Sequence, residues 1–217
     1  MAPPKVEEAM PAESLSAWLT ATRRAMRKGE QSQVPCGDCR GCCTSGHFIL
    51  IGPEEKKTLD RIPKALLFPA PGLPKGYRLM GYDHKGHCPM FIDNACSIYA
   101  ARPRTCRQYD CRVFAATGIE PDEEKTAIVS QVGRWKFATG EPADSMALKS
   151  IRRAVEYLLA NRSLFPPGSL PGQATQLAVF AVQVSELFSQ HEIETTDASW
   201  IPKILARRGD FLAEAGA

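Results

Sequence analysis

The chain contains no uninterrupted apolar run of the roughly 18 residues that a membrane helix needs, so no membrane span is expected. Its N-terminus, MAPPKVEEAMPAES, lacks the apolar core of a signal peptide, and Glu7, Glu8 and Glu13 are unlike a transit sequence. A chain with no export signal is expected in the cytoplasm, where clustered thiols serve metals more often than disulfides. An excess of one charge is also missing. The 27 Lys and Arg residues face 24 Asp and Glu, a formal net charge of +3, which gives no case for nucleic acid or a membrane surface as partner. A protein partner is compatible with this balance, though nothing specifies one. No Ser–His–Asp signature, paired-carboxylate signature, HExxH element or glycine-rich nucleotide fingerprint stands out, so no catalytic residue is assigned. Asp93, Asp110, Glu120, Asp122, Glu123 and Glu124 are acidic, but the last four read as a solvated helix start.

Cysteine is absent from the last 106 residues, and all eight cysteines lie between positions 36 and 111. The densest stretch is PCGDCRGCC, which places Cys36, Cys39, Cys42 and Cys43 among glycine and charged residues. Such a segment has almost no apolar bulk, so packing alone cannot fix its shape. A metal centre can, because thiolates are strong ligands for zinc and iron–sulfur clusters and binding supplies folding free energy. Gly37 and Gly41 supply the backbone freedom that a loop around a metal requires. Buried core cysteines sit instead among aliphatic neighbours. A chain of 217 residues buries roughly 70% of its unfolded surface, so it does not need a metal merely to have a core. The centre is therefore expected to be functional or a local staple.

Read in order, residues 1–12 are expected to be disordered, and 13–29 form an amphipathic helix. Its apolar stripe is Leu15, Trp18, Leu19, Thr22 and Met26, with Arg23, Arg24, Arg27 and Lys28 mostly off it. Docking on the protein's own body is favoured over a membrane or partner role by the shortness of the stripe. Phe48 to Ile51 reads as a strand. Pro53 opens a helix with Glu54 and Glu55 in its first turn, and residues 68–76 are loop. Tyr77 to Tyr82 and Met90 to Ile92 read as short strands, and Asp93–Asn94 is hairpin-turn chemistry flanked by Cys88 and Cys96. Pro103 sits early in a helix. Cys106 and Cys111, five apart, lie about 140° apart on an ideal helix, so either they serve different centres or the helix ends between them. Three further helices are expected around Met146–Leu159, Leu177–Phe188 and Ile201–Ala213. The fold class is α+β, helix-dominated, with a small irregular sheet and loops carrying the cysteines. Residues 1–34 form a tail and helix, 35–114 the cysteine-cluster core, and 115–217 a helical extension packed on it.

The cysteine spacing is C-x2-C-x2-CC, a gap of 44, then C-x7-C-x9-C-x4-C. Cys36, Cys39 and Cys42 reproduce the first three ligands of a bacterial ferredoxin run, without the Cys-Pro that follows there. The second half, Cys88, Cys96, Cys106 and Cys111, offers no C-x2-C zinc knuckle. All eight are candidate ligands. The triad with a distant partner, Cys88, Cys96 or Cys106, favours an iron–sulfur cluster of the four-iron type. Zinc is the alternative, since eight thiols divide into two four-thiolate sites. His47 and His87 are possible ligands or donors, although His87 abuts Cys88. Arg102, Arg104, Arg107 and Arg112 interleave with cysteines rather than exposed aromatics, which favours offsetting thiolate charge by hydrogen bonding to sulfur over binding phosphates.

CGDCRGCC followed by CPMFIDNACSIYAARPRTCRQYDC resembles the YkgJ-type cysteine-cluster proteins, a bacterial family of zinc- or iron-chelating domains. The elements that carry the likeness are Cys39 to Cys43 and then Cys96, Ile98, Tyr99, Arg102, Pro103, Cys106, Arg107 and Tyr109. It spans about residues 36–114; Cys111 and the terminal helices lie outside it. A similar cysteine arrangement in flagellin lysine methylase resembles a four-iron cluster site. The resemblance implies a metal-binding domain and assigns it no firm biochemical role; the role expected here is redox or structural. A cluster-dependent enzyme of redox or protein-modifying group transfer, and a cytosolic thiol redox sensor, are the other readings.

Overall fold

Ser14 ends an extended run and begins a helix. The computed structural model describes residues 9–214 and opens with strand β1 (Met10–Ser14). The side chain of Ser14 accepts a hydrogen bond from the Ala17 N–H, capping helix α1 (Leu15–Lys28). Gly29 closes that helix in the left-handed region, at φ 66°, with its N–H on the Ala25 carbonyl. Leu15, Trp18, Leu19, Thr22 and Ala25 are buried, Met26 half-buried, and the stripe docks on the protein's own core. Residues 10–12 are not disordered as expected, and 1–8 lie outside the described residues. β1 pairs in parallel with β7 (Trp135–Ala138), Met10 opposite Trp135, and Ala12 is fully buried. Pro11 masks the strand in the sequence, yet a two-stranded ribbon leaves proline an edge where no ladder donor is missed.

Between these strands the chain builds a small three-stranded sheet. Strand β2 (Ile49–Ile51) and strand β3 (Leu67–Pro69) flank the central β4 (Arg78–Met80), both antiparallel to it. β3 corrects the expectation of loop at 68 and 69, since Pro69 ends an outer strand where its missing N–H costs nothing. The helix expected from Pro53 shrinks to α2 (Lys56–Leu59). Glu55 is diverted. Its carboxylate accepts from the Gly52 N–H at 3.0 Å and from the Arg104 N–H at 2.6 Å, so it joins two distant backbone segments instead of opening a helix.

The hairpin of β5 (Phe91–Ile92) and β6 (Ala95–Cys96) turns through Asp93 and Asn94, both left-handed at φ 49° and 58°. These are the two positive angles that a twisted two-residue hairpin demands. Helix α3 (Arg104–Gln108) then ends at an extended Tyr109, and α4 (Arg112–Thr117) starts directly after Cys111. The helix does end between Cys106 and Cys111. Helix α5 (Thr126–Arg134) follows the acidic run at residues 120–124 that reads as a helix start, and precedes β7.

Three helices complete the chain: α6 (Pro142–Ala160), α7 (Ala174–Gln190) and α8 (Ile201–Glu214). Eight helices beside sheets of two or three strands make the described residues α+β and helix-dominated. α7 buries residues on almost every face, including Phe180, Val182, Val184 and Phe188, because α6, α4 and α8 all pack on it. One apolar cluster joins α1, α4, α6 and α7 around Trp18, Phe114, Ile151 and Val182, and Cys111 lies within it. A second fills the space among α6, α7 and α8. A third is formed by Ile49, Ile51, Ile62, Met80, Met90 and Ile98, with Cys88, Cys96 and Cys106 against it.

Candidate metal centre

The loop that carries four thiols is held by its own backbone. The Cys39 N–H bonds the Cys36 carbonyl at 3.0 Å across Gly37, whose φ of 54° only glycine takes freely. Gly41, Cys42 and Cys43 form one 3-10 turn, closed by the Cys43 N–H on the Arg40 carbonyl at 2.9 Å. A Cβ on Gly41 would lie 3.3 Å from the Ala127 backbone, so glycine lets α5 come close to the thiol loop. Arg40 donates to the carbonyls of Gly37, Cys39 and Asn94, tying the loop to the hairpin.

The turn aims adjacent cysteines at different neighbours. Cys42 has its thiol raised well above the ordinary range, by burial first and then by the charges of Cys111, Cys36, Cys39 and Cys43. The residue is nevertheless exposed to solvent. Cys111 is pushed up to about 12, again by burial first, with Asp110, Cys36 and Cys39 adding to it. The Trp135 indole N–H opposes that shift by donating to the Cys111 sulfur at 3.2 Å. Cys36 is raised by burial and then by Cys39. Cys36, Cys39, Cys42 and Cys111 are thus one electrostatic group.

The other four are the second group. Cys43 is raised to about 11 by burial, then by Cys88 and Cys96. Cys106 is raised to about 12 by burial, then by Cys88, Cys43 and Cys96. Cys88 is raised by burial and Cys96, while the backbone N–H groups of Met90 and Phe91 work against the rise. Cys88 also donates its N–H to the Cys43 carbonyl at 2.8 Å, and β6 places Cys96 opposite Phe91. Cys88 and Cys96 thus flank the hairpin, and the charge of Cys96 acts on Cys88. The distant cysteine whose charge acts most on Cys42 is Cys111 rather than Cys88, Cys96 or Cys106.

All eight cysteines are free. Among the described residues, no three ligating side chains already stand at the spacing of a single bound ion. The donor set nevertheless suits a metal. Burial and neighbouring thiols raise Cys36, Cys42 and Cys111 in one group and Cys43, Cys88 and Cys106 in the other, so these thiolates persist only with a cation to neutralise them. N–H donors already aim at sulfur: Gly41 to Cys39 at 3.4 Å and Trp135 to Cys111.

The arginines do not play the part expected of them. Arg112 is buried and bonds Asp110, Glu13 and the Gln33 carbonyl; Arg104 pairs with Glu54, and Arg107 bonds the Arg102 carbonyl. Arg102 stacks on Tyr99, 3.9 Å from the ring centre. Carboxylates and carbonyls outcompete sulfur for these guanidinium groups. Their charge still reaches the thiols at a distance, Arg102 opposing the rise at Cys36 and Cys106. His47 stacks on Tyr109 with ring centres 5.6 Å apart, and His87 packs edge-on against Phe91.

Residues 35–130 match the sequence model of the CxxCxxCC family, described as "Putative zinc- or iron-chelating domain". That stretch is similar to the CxxCxxCC family. The match covers less than half of the chain and runs beyond the resemblance read from the sequence, taking in α4 and most of α5. No curated protein and no solved structure matches the chain. All eight cysteines fall inside the CxxCxxCC domain. Trp135, which donates to Cys111, lies just outside it. Nothing in the sequence marked Trp135, because its contact crosses 24 residues. An open recess of about 560 Å³ lies beside the first thiol group of the domain, with Cys36 and Cys39 among its lining and Ala127, Gln131 and Arg134 of α5 opposite.

Proposed function

We propose that the protein holds two metal centres, one on Cys36, Cys39, Cys42 and Cys111 and the other on Cys43, Cys88, Cys96 and Cys106. The reading is supported by which thiols act most on the two adjacent ones: Cys111, Cys36 and Cys39 on Cys42, and Cys88 and Cys96 on Cys43, with a weaker coupling of Cys43 to Cys42. Each set matches the four thiolates that zinc or a four-iron cluster takes. For the first centre we favour a four-iron cluster. Three ligands at ferredoxin spacing and a fourth from afar suit a group that binds each thiolate at a different corner. The role is redox or structural: a bound cluster supplies one-electron chemistry, and zinc supplies folding energy alone. Free thiols of this kind persist in a reducing compartment, so the cytoplasm is the expected location. The helices after residue 115 act as a cover on the cysteine-bearing half. The recess beside Cys36 and Cys39 favours a second reading, in which a small substrate reaches the first centre and the protein is a cluster-dependent enzyme.

The deciding experiment is anaerobic purification with metal and sulfide analysis. Brown protein with broad absorbance near about 400 nm is expected. Colourless protein carrying about two zinc per chain overturns iron and leaves a structural or interaction module. Protein that takes up neither metal overturns the reading as a whole.

A further inference from the structure

Two polar atoms that pack together near the first thiol group have no partner. The Tyr109 hydroxyl oxygen and the His47 Nε2 are both buried and make no hydrogen bond among the described residues. The two rings lie against each other, 5.6 Å between centres and tilted by 52°. A buried hydroxyl is costly to leave unpaired, and such groups in native proteins mark a partner still to be found.

The surroundings say what that partner is. Tyr109 occupies the extended residue between α3 and α4, two positions before Cys111. Burial raises its phenol first, and the charges that add to the rise are Cys42 and Cys111 of the first thiol group, then Asp110 and Asp122. It packs on the same apolar cluster that contains Cys111. A phenol is both donor and acceptor, but a thiolate only accepts. A loaded first centre therefore presents what the O–H lacks.

We propose that Tyr109 donates a hydrogen bond from its hydroxyl to a thiolate of the first metal centre, Cys42 or Cys111, and that His47 holds the phenol ring in place. Tyr109 is a positioning and tuning residue, because it acts on the metal through the sulfur. This rests on the two-centre reading. A donated hydrogen bond draws electron density off sulfur, stabilising the thiolate and the reduced form of any cluster it binds. The second centre has backbone N–H donors at Cys88 but no tyrosine hydroxyl among the described contacts, and serves as the internal control.

The test uses the full chain loaded anaerobically with Co²⁺, whose thiolate charge-transfer bands appear whatever the native metal. In Tyr109→Phe, which keeps the ring, the bands of one centre should move to longer wavelength while those of the other stay in place. Incorporating 3-fluorotyrosine at position 109, a stronger donor of nearly the same shape, should move the same bands the other way. His47→Phe should reproduce part of the Tyr109→Phe shift. If the wild-type chain binds no Co²⁺, the two-centre reading fails. If it binds about two ions and both tyrosine variants keep wild-type bands, the two centres stand and the role of Tyr109 is overturned.

Discussion

Asp110 shows how a single side chain next to a ligand organises its surroundings. Its carboxylate receives the Arg112 guanidinium at 2.8 Å and the Trp18 indole N–H at 3.0 Å, with both charged side chains about 5% exposed. Arg112 stays fully charged because its bonds to Asp110 and Glu13 outweigh the burial that disfavours its charge. Asp110→Ala would strand that charge in the core next to Cys111, at a cost of about 3–5 kcal/mol. Urea unfolding of the apo-protein should show the loss, whereas Glu13→Ala, at a 45% exposed partner, should cost far less.

The thiols set a second expectation at this scale. Burial raises Cys106 and Cys111 from 9.0 to about 12, so the folded apo-protein holds those protons more tightly than the unfolded chain. The associated stability is fully present below pH 9 and is lost as pH rises from there through about 12. Loaded protein, in which the thiolates are already deprotonated, should not show that fall. Thermal melts of the two forms between pH 8 and 11, taken without oxygen, measure the difference.

At the level of elements, the hairpin between the two halves of the second thiol group depends on two left-handed residues. Asn94→Gly should be neutral or slightly stabilising, and Asn94→Ile should cost about 1–2 kcal/mol. Comparing melting temperatures, and Co²⁺ uptake at the centre that contains Cys96, reads both effects. This turn was legible in the sequence because Asp-Asn is local chemistry, as were α1, α6 and α7, whose stripes repeat over many turns. The β1–β7 ribbon was not, since Pro11 hides one strand and the pairing spans more than a hundred residues. The start of α2 was misread for a similar reason, because the backbone partners of Glu55 lie at Gly52 and Arg104. Spacing exposed the candidate ligands but not how they divide. Cys111 reaches the first group through α4 and Trp135, contacts that no local pattern records.

For the molecule as a whole, Cys111 sits inside the same apolar cluster as Trp18 of α1 and Ile151, Ala178 and Val182 of α6 and α7. A centre using Cys111 would therefore be built on helices that the CxxCxxCC match does not reach. A chain ending at Thr117 should expose Phe114 and Trp18, lose cooperative unfolding and aggregate. Sedimentation and calorimetry of that truncation, against the full chain, test the proposal that residues 115–217 cover the cysteine-bearing half. Soluble truncated protein with a full metal complement and a sharp melt would count against it.

In the proposed two-centre arrangement Cys42 and Cys43 serve different centres, and a single peptide bond separates them. Their α-carbons stand only about 3.8 Å apart. Whichever centre fills first must freeze that bond's orientation, and in doing so sets the aim of a ligand in its neighbour. The first arrival therefore spares the second much of the ordering that an isolated loop would require, while two anionic centres this close repel each other. Two such centres could not be loaded, emptied or reduced as independent compartments: occupancy at one would be information available to the other.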